Sequence, residues 1–354
     1  MTGPGWIRIV LRSAALVLFN VIIGVALLEG IFLTLLHSPG LTARSPKPVQ
    51  RLVQQIYRHF NRMLVQFDPA CAVYDPEVTY TLKPGACTFR NIEFETRIEV
   101  NGRGVRDREA ALDHPDVIVV GDSHAMGWGV EQNEAFPKVL AQRTGLNVLN
   151  AAVSSYGTAR EMLLLNRFDT SHLQVLVIQY ADNDLPENRS FREHEGRLPI
   201  TPESDYQQIV RYYASQQAYY PGKYVFRLVM KLLRLEEPEP DQLRMDPITP
   251  MDEAELFVYV VTHGARVPLN EVQLVVLEVN QDIGPRRPFM AALDQFKRNE
   301  ANPPYIQRLI TLDTAVLLSP EDFFVLDDHM KPSGHQAIGE ALANAITSSL
   351  RKQG

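Results

Sequence analysis

An α/β fold, with a mostly parallel sheet covered by helices on both faces and one apolar helix in front of it, is what this sequence predicts. Two observations carry the prediction. From Asp116 onward, short β-branched runs alternate with amphipathic stretches, the pattern of strands joined by helical crossovers. From Ser13 to Leu36 there is no Lys or Arg and a single acid, Glu29; as a helix this stretch would span roughly 36 Å, enough for a bilayer core. The rest of the composition is that of an ordinary globular chain: 354 residues, 45% hydrophobic and 22% charged, room for one large domain or two small ones. A net charge of -7 without a basic stripe gives no reason to expect nucleic-acid binding.

The N-terminal part divides into a tail, 1–12, and a span, 13–36. A secretory signal would have a shorter apolar region and a small-residue cleavage site. No such site follows Leu36, which favours an uncleaved anchor over a cleaved signal. Arg8 and Arg12 precede the span while Arg44, Lys47 and Arg51 follow it, so the positive-inside count does not decide orientation. The very short tail favours a cytoplasmic N-terminus with the bulk of the chain outside. An acid at a helix centre costs about 2.5 to 3.5 kcal/mol on insertion scales. Glu29, nearer the distal end, reads either as a contact to a second membrane helix or as a tolerated, protonated acid.

Residues 37–112 read as a stalk and a small β-rich extension. Pro39, Gly40, Pro46 and Pro48 punctuate its start, and Gln50 to Val65 has helical spacing of apolar residues. Glu93 to Val100 alternates as a strand does, and Asn101-Gly-Arg-Gly104 supplies a turn. Cys71 and Cys87 are the only cysteines. An even count outside the cytoplasm reads as a disulfide, and closing this loop would contribute roughly 3 kcal/mol. Without a nearby His cluster they make no zinc site, and no metal is expected.

The α/β domain is expected over 113–350. Strands are predicted at Val117–Val120, Leu146–Leu149, Val175–Gln179, Val272–Val279 and Phe323–Leu326. Helices are predicted at Asn133–Arg143, Thr158–Asn166, Met251–Thr262, Pro288–Lys297 and Ser333–Leu350. Residues 190–250 interrupt the rhythm as an insertion rich in Tyr, from Tyr206 to Tyr224, which ends in the acidic, Pro-containing stretch Glu236–Asp241. Its aromatics suit either sugar stacking or packing of the insertion onto the main domain.

Four segments that follow strands carry side chains suited to chemistry. Val120-Gly-Asp-Ser123 presents a serine at a strand end, where Gly121 permits a sharp turn. A serine hydroxyl needs a base to take its proton, and the base needs an orienting acid. Asp327-Asp-His329 supplies both. If the segment is extended, Asp327 shares a face with His329 while Asp328 points away. Asn183, after the third strand, has an amide able to donate to an oxyanion. The loop Asn150–Gly157, after the second, offers backbone N–H groups. His335, in the first turn of the last helix, reads as structural.

In this order the blocks resemble the SGNH (GDSL-type) hydrolase family, over roughly Asp113 to Ile346. The resemblance implies a flavodoxin-like three-layer α/β/α sandwich with Ser123 as nucleophile. It implies an oxyanion hole made by the backbone N–H of Ser123, a second-block N–H and the Asn183 amide. The second-block glycine falls on Ser155, with Gly157 two residues on. The third block, Gly-x-Asn-Asp, reads Ala181-Asp-Asn183-Asp184. The last, Asp-x-x-His, has Leu326 three before His329, so Asp327, or less favourably Asp328, must be the acid. Such spacing is similar to that of polysaccharide-modifying acyltransferases. Tyr80-Thr-Leu-Lys-Pro-Gly85 and Asn101-Gly-Arg-Gly-Val-Arg-Asp107 look like the lead-in of bacterial membrane-anchored members. That places the catalytic domain in the periplasm or outside the cell, held to the inner membrane by a single pass. Arg106 and Asp107 are expected to tie the extension to the core.

The implied function is a serine esterase or O-acyltransferase acting on an ester, an O-acetyl group of a glycan. It needs no cofactor. Its implied partners are a glycan or small-molecule ester and the membrane, and a membrane acyl-donor protein if the reaction is transfer. The competing reading is a catalytically idle glycan-binding protein that keeps the fold.

Overall fold

The computed structural model describes residues 5–233, 248–280 and 288–353. The predicted linker at Glu236–Asp241 lies outside them. By contact the chain falls into two units: Met1–Arg62, Ala214–Pro240 and Val325–Asp327 form one, and Met63–Tyr213, Asp241–Phe324 and Asp328–Gly354 the other.

In the first unit, α1 (Gly5–Leu36) is followed by α2 (Pro39–Arg44) and α3 (Lys47–Phe60). The segment Trp6–Leu36 is long and apolar enough to cross a membrane. Both short helices open on a proline in the first turn, where its missing N–H costs nothing. The prolines that suggested an irregular stalk are helix starts.

The second unit begins with the extension, two antiparallel hairpins: β1 (Ala72–Asp75) with β2 (Thr79–Leu82), and β3 (Gly85–Arg90) with β4 (Glu95–Val100). The Cys71–Cys87 disulfide, with Cα atoms 5.4 Å apart, joins them. Then come β5 (Val117–Val120), α4 (Ser123–Met126), α5 (Phe136–Thr144), β6 (Val148–Asn150), α6 (Thr158–Leu165), β7 (Val175–Tyr180), α7 (Asp184–Glu193) and α8 (Glu203–Gln217). In the first unit again lies α9 (Lys223–Leu232), and the second resumes with α10 (Pro250–Gly264), β8 (Gln273–Glu278), α11 (Pro288–Phe296), α12 (Pro304–Gln307), β9 (Ile310–Leu312) and α13 (Pro332–Gln353).

The five strands β5–β9 form one parallel sheet in the order β6-β5-β7-β8-β9. Alternate residues of each strand serve opposite faces. Ile118, Val120, Leu176, Ile178, Leu274 and Val276 pack with α6, α10 and α11. Val117, Val119, Val175, Val177, Val275 and Leu277 pack with α5 and α13. The fold is therefore the expected three-layer sandwich, and its order puts the topological switch beside β5, where ligands gather at the carboxyl ends of strands.

One predicted strand is corrected. The fifth strand is Ile310–Leu312, not Phe323–Leu326, of which only Phe323 forms an isolated bridge, to Met330. Three residues between a proline-led turn of helix and Asp313 are too few to show period-2 alternation. The insertion's aromatics divide: Tyr206 is buried and its hydroxyl donates to Gln66 O at 2.9 Å, and Tyr213 stacks on Phe67 at 4.9 Å, whereas Tyr212, Tyr219, Tyr220 and Phe226 are exposed.

Glu161 of α6 is buried, and among the described residues both its carboxyl oxygens lack a hydrogen-bond partner. Burial, and then the nearby Asp184, Asp122 and Glu187, push its pKa well up, so it is held protonated. A raised carboxyl pKa stabilises the fold fully below the unfolded value, and that stabilisation is lost as pH rises towards the folded one. Glu161→Gln should therefore raise the melting temperature by more at pH 8 than at pH 5. Equal shifts at both pH values, measured by calorimetry, would contradict a protonated Glu161.

Candidate active site

The turn that carries Ser123 is held by contacts from three directions. After β5 the chain passes Gly121 and Asp122, and Ser123 opens α4. A Cβ on Gly121 would lie 2.7 Å from both Ala125 Cβ and Gln179 Oε1, so only glycine fits. That Gln179 oxygen, from β7, accepts the N–H groups of Asp122 at 3.0 Å and Ala125 at 3.3 Å. Asp122 Oδ1 accepts the His124 N–H at 2.8 Å. At the far end of α4, Asn150 Nδ2 donates to the carbonyls of Ala125 and Met126. The guanidinium of Arg106 donates to those of Met126, Gly127 and Val130. Burial lowers the Arg106 pKa to about 10, against the pull of Glu131 and Glu134, so the group stays cationic. Asp107 accepts the Asn150 N–H at 2.8 Å and Lys138 Nζ at 2.6 Å. Arg106 and Asp107 thus tie the extension to the core, as expected, and do so beside the turn that carries Ser123.

Ser123 and His329 meet. Ser123 Oγ lies 2.7 Å from His329 Nε2, and both side chains are buried. The indole of Trp128 stacks on the His329 ring at 4.5 Å, and the His124 ring lies 4.8 Å away. A proton-accepting Nε2 requires the hydrogen on Nδ1, and Asp328 Oδ1 lies 3.0 Å from Nδ1.

Here the expectation that Asp328 would point away is corrected. Residues 325–329 form bends, not a strand, and the Phe324 N–H donates to His329 O across the loop at 3.0 Å. Face alternation does not apply to such a loop. Asp327 Oδ2 accepts the Tyr57 hydroxyl of α3 at 2.7 Å, and Gln54 Nε2 donates to Val325 O at 2.7 Å. Both aspartates are buried.

The proposed oxyanion residues lie on loops after β6 and β7, at the sheet edge that carries Ser123. Ser155 has φ +60, a left-handed conformation that favours glycine, which accounts for the glycine expected at this place. Its hydroxyl accepts from Gln66 Nε2 at 2.8 Å, and the Gln66 Oε1 accepts from Ser154 Oγ at 3.0 Å. Tyr80 also holds this loop through Ser154 O at 2.8 Å. Gly157 is corrected: its N–H is committed to Glu187 Oε1 at 3.4 Å. A Cβ there would meet Glu187 Cβ at 3.0 Å and Asp184 Cα at 3.1 Å, so close packing explains the glycine. Asn183 is exposed, and its amide donates to Tyr156 O at a long 3.4 Å.

The side-chain roles of Gln179 and Asn150, which the sequence reading named only as ends of segments, and of Trp128 escaped it. Gln179, polar at the end of an apolar strand, was the one visible signal. His335 is structural as expected: Phe136 donates its N–H to Nδ1 at 3.3 Å, and burial, with Arg106 and His329 nearby, lowers the pKa to about 3.

No protein-family model matches the chain, and no curated protein does. Solved structures do. One is a lipolytic protein of the G-D-S-L family from Desulfitobacterium hafniense, 13% identical, covering 64% of this chain and 97% of its own, with a TM-score of 0.30. Another is a carbohydrate esterase family 2 enzyme with its carbohydrate-binding domain from Corynascus thermopiles (Myceliophthora fergusii), 15% identical, covering 66% of each chain, with a TM-score of 0.36. The fold stands on this chain's own strand order and site. It is a three-layer α/β/α sandwich with a five-stranded parallel sheet.

Burial raises the Asp122 pKa to about 6, opposed by the His124 N–H and by the charge of His329. The attraction is mutual, so ionised Asp122 favours the protonated imidazole. In Asp122→Asn the acid limb of the pH–rate profile should move to lower pH, by up to about one unit. The readout is the second-order rate of inactivation by a fluorophosphonate between pH 5 and 9. An unmoved limb would show that the Asp122 charge does not act on His329.

Proposed function

We propose that this chain is a membrane-anchored, extracytoplasmic serine esterase or O-acyltransferase, and that its substrate is an acyl ester, an O-acetyl group of a glycan. The observation that carries the reading is the 2.7 Å contact between Ser123 Oγ and His329 Nε2. Two buried side chains in that geometry form a nucleophile and its base.

Ser123 Oγ attacks the acyl carbonyl as its proton passes to Nε2. A carboxylate on the Nδ1 side stabilises the imidazolium and fixes the tautomer. The backbone N–H groups of Ser123 and Ser155, with the Asn183 amide, receive the developing oxyanion. As the tetrahedral intermediate collapses, the imidazolium returns its proton to the departing alcohol. Water or a sugar hydroxyl then attacks the acyl-enzyme as His329 takes its proton, and the second intermediate collapses by breaking the bond to Ser123 Oγ, which recovers that proton from the imidazolium as the acid or acylated sugar leaves. Atoms and protons balance with this chain's own residues. The hydrogen-bonded pair supports catalysis over an idle glycan-binding role.

Two observations support the anchored, extracytoplasmic placement. The disulfide suits an oxidising compartment. The distal end of α1 is part of the folded unit, with Glu29, Phe32, Leu35 and Leu36 buried; cleavage after the span would strip them out.

A fluorophosphonate probe should label the wild type, whereas Ser123→Ala and His329→Ala should lose labelling, by about 10⁴-fold or more. Labelling of Ser123→Ala at the wild-type rate would overturn the serine mechanism. The Nδ1 contact predicts a larger loss for Asp328→Asn than for Asp327→Asn, up to about 10⁴-fold. The reverse order would return the orienting role to Asp327.

A further inference from the structure

Glu29 is bound within the chain, at the start of α9. Its carboxylate accepts the backbone N–H groups of Tyr224 at 3.1 Å and Val225 at 3.1 Å, at the first turn of α9, together with the Tyr219 hydroxyl. A carboxylate there meets unpaired N–H groups and the positive end of the helix dipole. A Cβ added to Gly222, at the mouth of α9, would lie 3.7 Å from Val25 Cγ1 of α1. The start of α9 is thus fixed to α1 between Val25 and Glu29.

The height of that point follows from helix geometry. Arg8 to Glu29 spans about 32 Å, close to the ~30 Å of a bilayer's hydrocarbon core. With Arg8 at one headgroup level, Glu29 and the first turn of α9 stand at the other.

At that height α9 is two-faced. Phe226, Val229, Leu232 and Leu233, spaced to share a side, are 53%, 44%, 73% and 61% exposed. Lys223 and Arg227 lie on the opposite side and turn into the protein: Lys223 Nζ donates to Gln216 O, Arg227 to Gln216 Oε1, and the Arg227 guanidinium sits over Phe60. Tyr219 and Tyr220, just before the helix, are 50% and 41% exposed. Tyrosines are enriched at this level of a membrane.

We propose that α9 is a membrane-interface helix, with its Phe226–Val229–Leu232–Leu233 face embedded in the outer boundary of the bilayer that α1 crosses. The occupant of this face is lipid. On α1, around the position of Glu29, Leu27, Leu28 and Ile31 are exposed as well. An amphipathic helix at this level buries its apolar side about 5–10 Å into the headgroup–acyl boundary. The carboxylate of Glu29 sets its depth and direction. The chain is then held at two places, by a span and by a helix lying in the interface. The inference rests on the reading of α1 as a retained span.

The test uses the full-length chain in phosphatidylcholine–phosphatidylglycerol nanodiscs, with nitroxides on Val229→Cys and Leu232→Cys. Leu18→Cys in α1 is the span control and Glu203→Cys at the start of α8 the aqueous one. Collision rates with oxygen and with a water-soluble nickel chelate report the surroundings. Val229 and Leu232 should show an oxygen-to-nickel ratio several-fold above that of Glu203 and approaching that of Leu18. If Leu18 is lipid-exposed while Val229 and Leu232 match Glu203, the interface helix is overturned and the anchor stands. Shielding of both positions from both reagents would mean that protein covers the face, which also overturns it. A Leu18 label open to the nickel chelate would overturn the span, and the interface helix with it.

Discussion

The hydrogen bond between Ser123 and His329 joins residues 206 positions apart, and much of the fold exists to bring them together. Neither side chain sits on a long element. Ser123 opens a single turn of helix, and His329 lies in a loop of bends. Their precision is borrowed: from Gln179 on the neighbouring strand, from Asn150 and Arg106 on the carbonyls of α4, and from the stacked face of Trp128. Each fastens backbone or ring in place, and groups held so firmly are what the proposed reaction would need in order to avoid reorganisation.

The price of that arrangement is a concentration of buried acid. Asp122, Glu161, Asp184 and Glu187 are all shifted upward by burial, and each is managed differently. Asp184 accepts from Thr158 N at 3.0 Å, Thr158 Oγ1 at 2.6 Å and Ala181 N at 3.2 Å, which binds the loop after β7 to the start of α6. Glu187 pairs with Arg160 at 2.8 Å. Asp122 faces the imidazole. Glu161, with no partner, keeps its proton. A buried carboxylate that lacks a donor or a cation neutralises instead, and this cluster holds both outcomes within one layer of the molecule.

The sheet was legible because its strands are apolar on both faces: Val117–Val120, Val175–Tyr180 and Gln273–Glu278 are buried throughout, and such runs stand out between amphipathic stretches. Ser123 and His329 were legible as residue types at strand ends. The choice between Asp327 and Asp328 was not, because side-chain direction in a bend depends on closure of the loop, here by the Phe323–Met330 bridge and the Phe324–His329 hydrogen bond. Gly157 misled for a related reason. Its spacing suggested a free N–H, whereas the packing of Glu187 and Asp184 against it takes up that N–H and the space around it. Glu29 was visible as an anomaly, but its partner α9 lies 195 residues further along the chain, and no local pattern reaches that far.

The most direct measurement of the central claim is an acid-quenched peptide mass map after brief exposure of the full-length chain to p-nitrophenyl acetate. The account predicts a single acetyl ester on the peptide carrying Ser123, formed with a burst of one nitrophenolate per chain and absent in His329→Ala. Acetyl on any other residue, or hydrolysis with no burst and no modified Ser123, would contradict it.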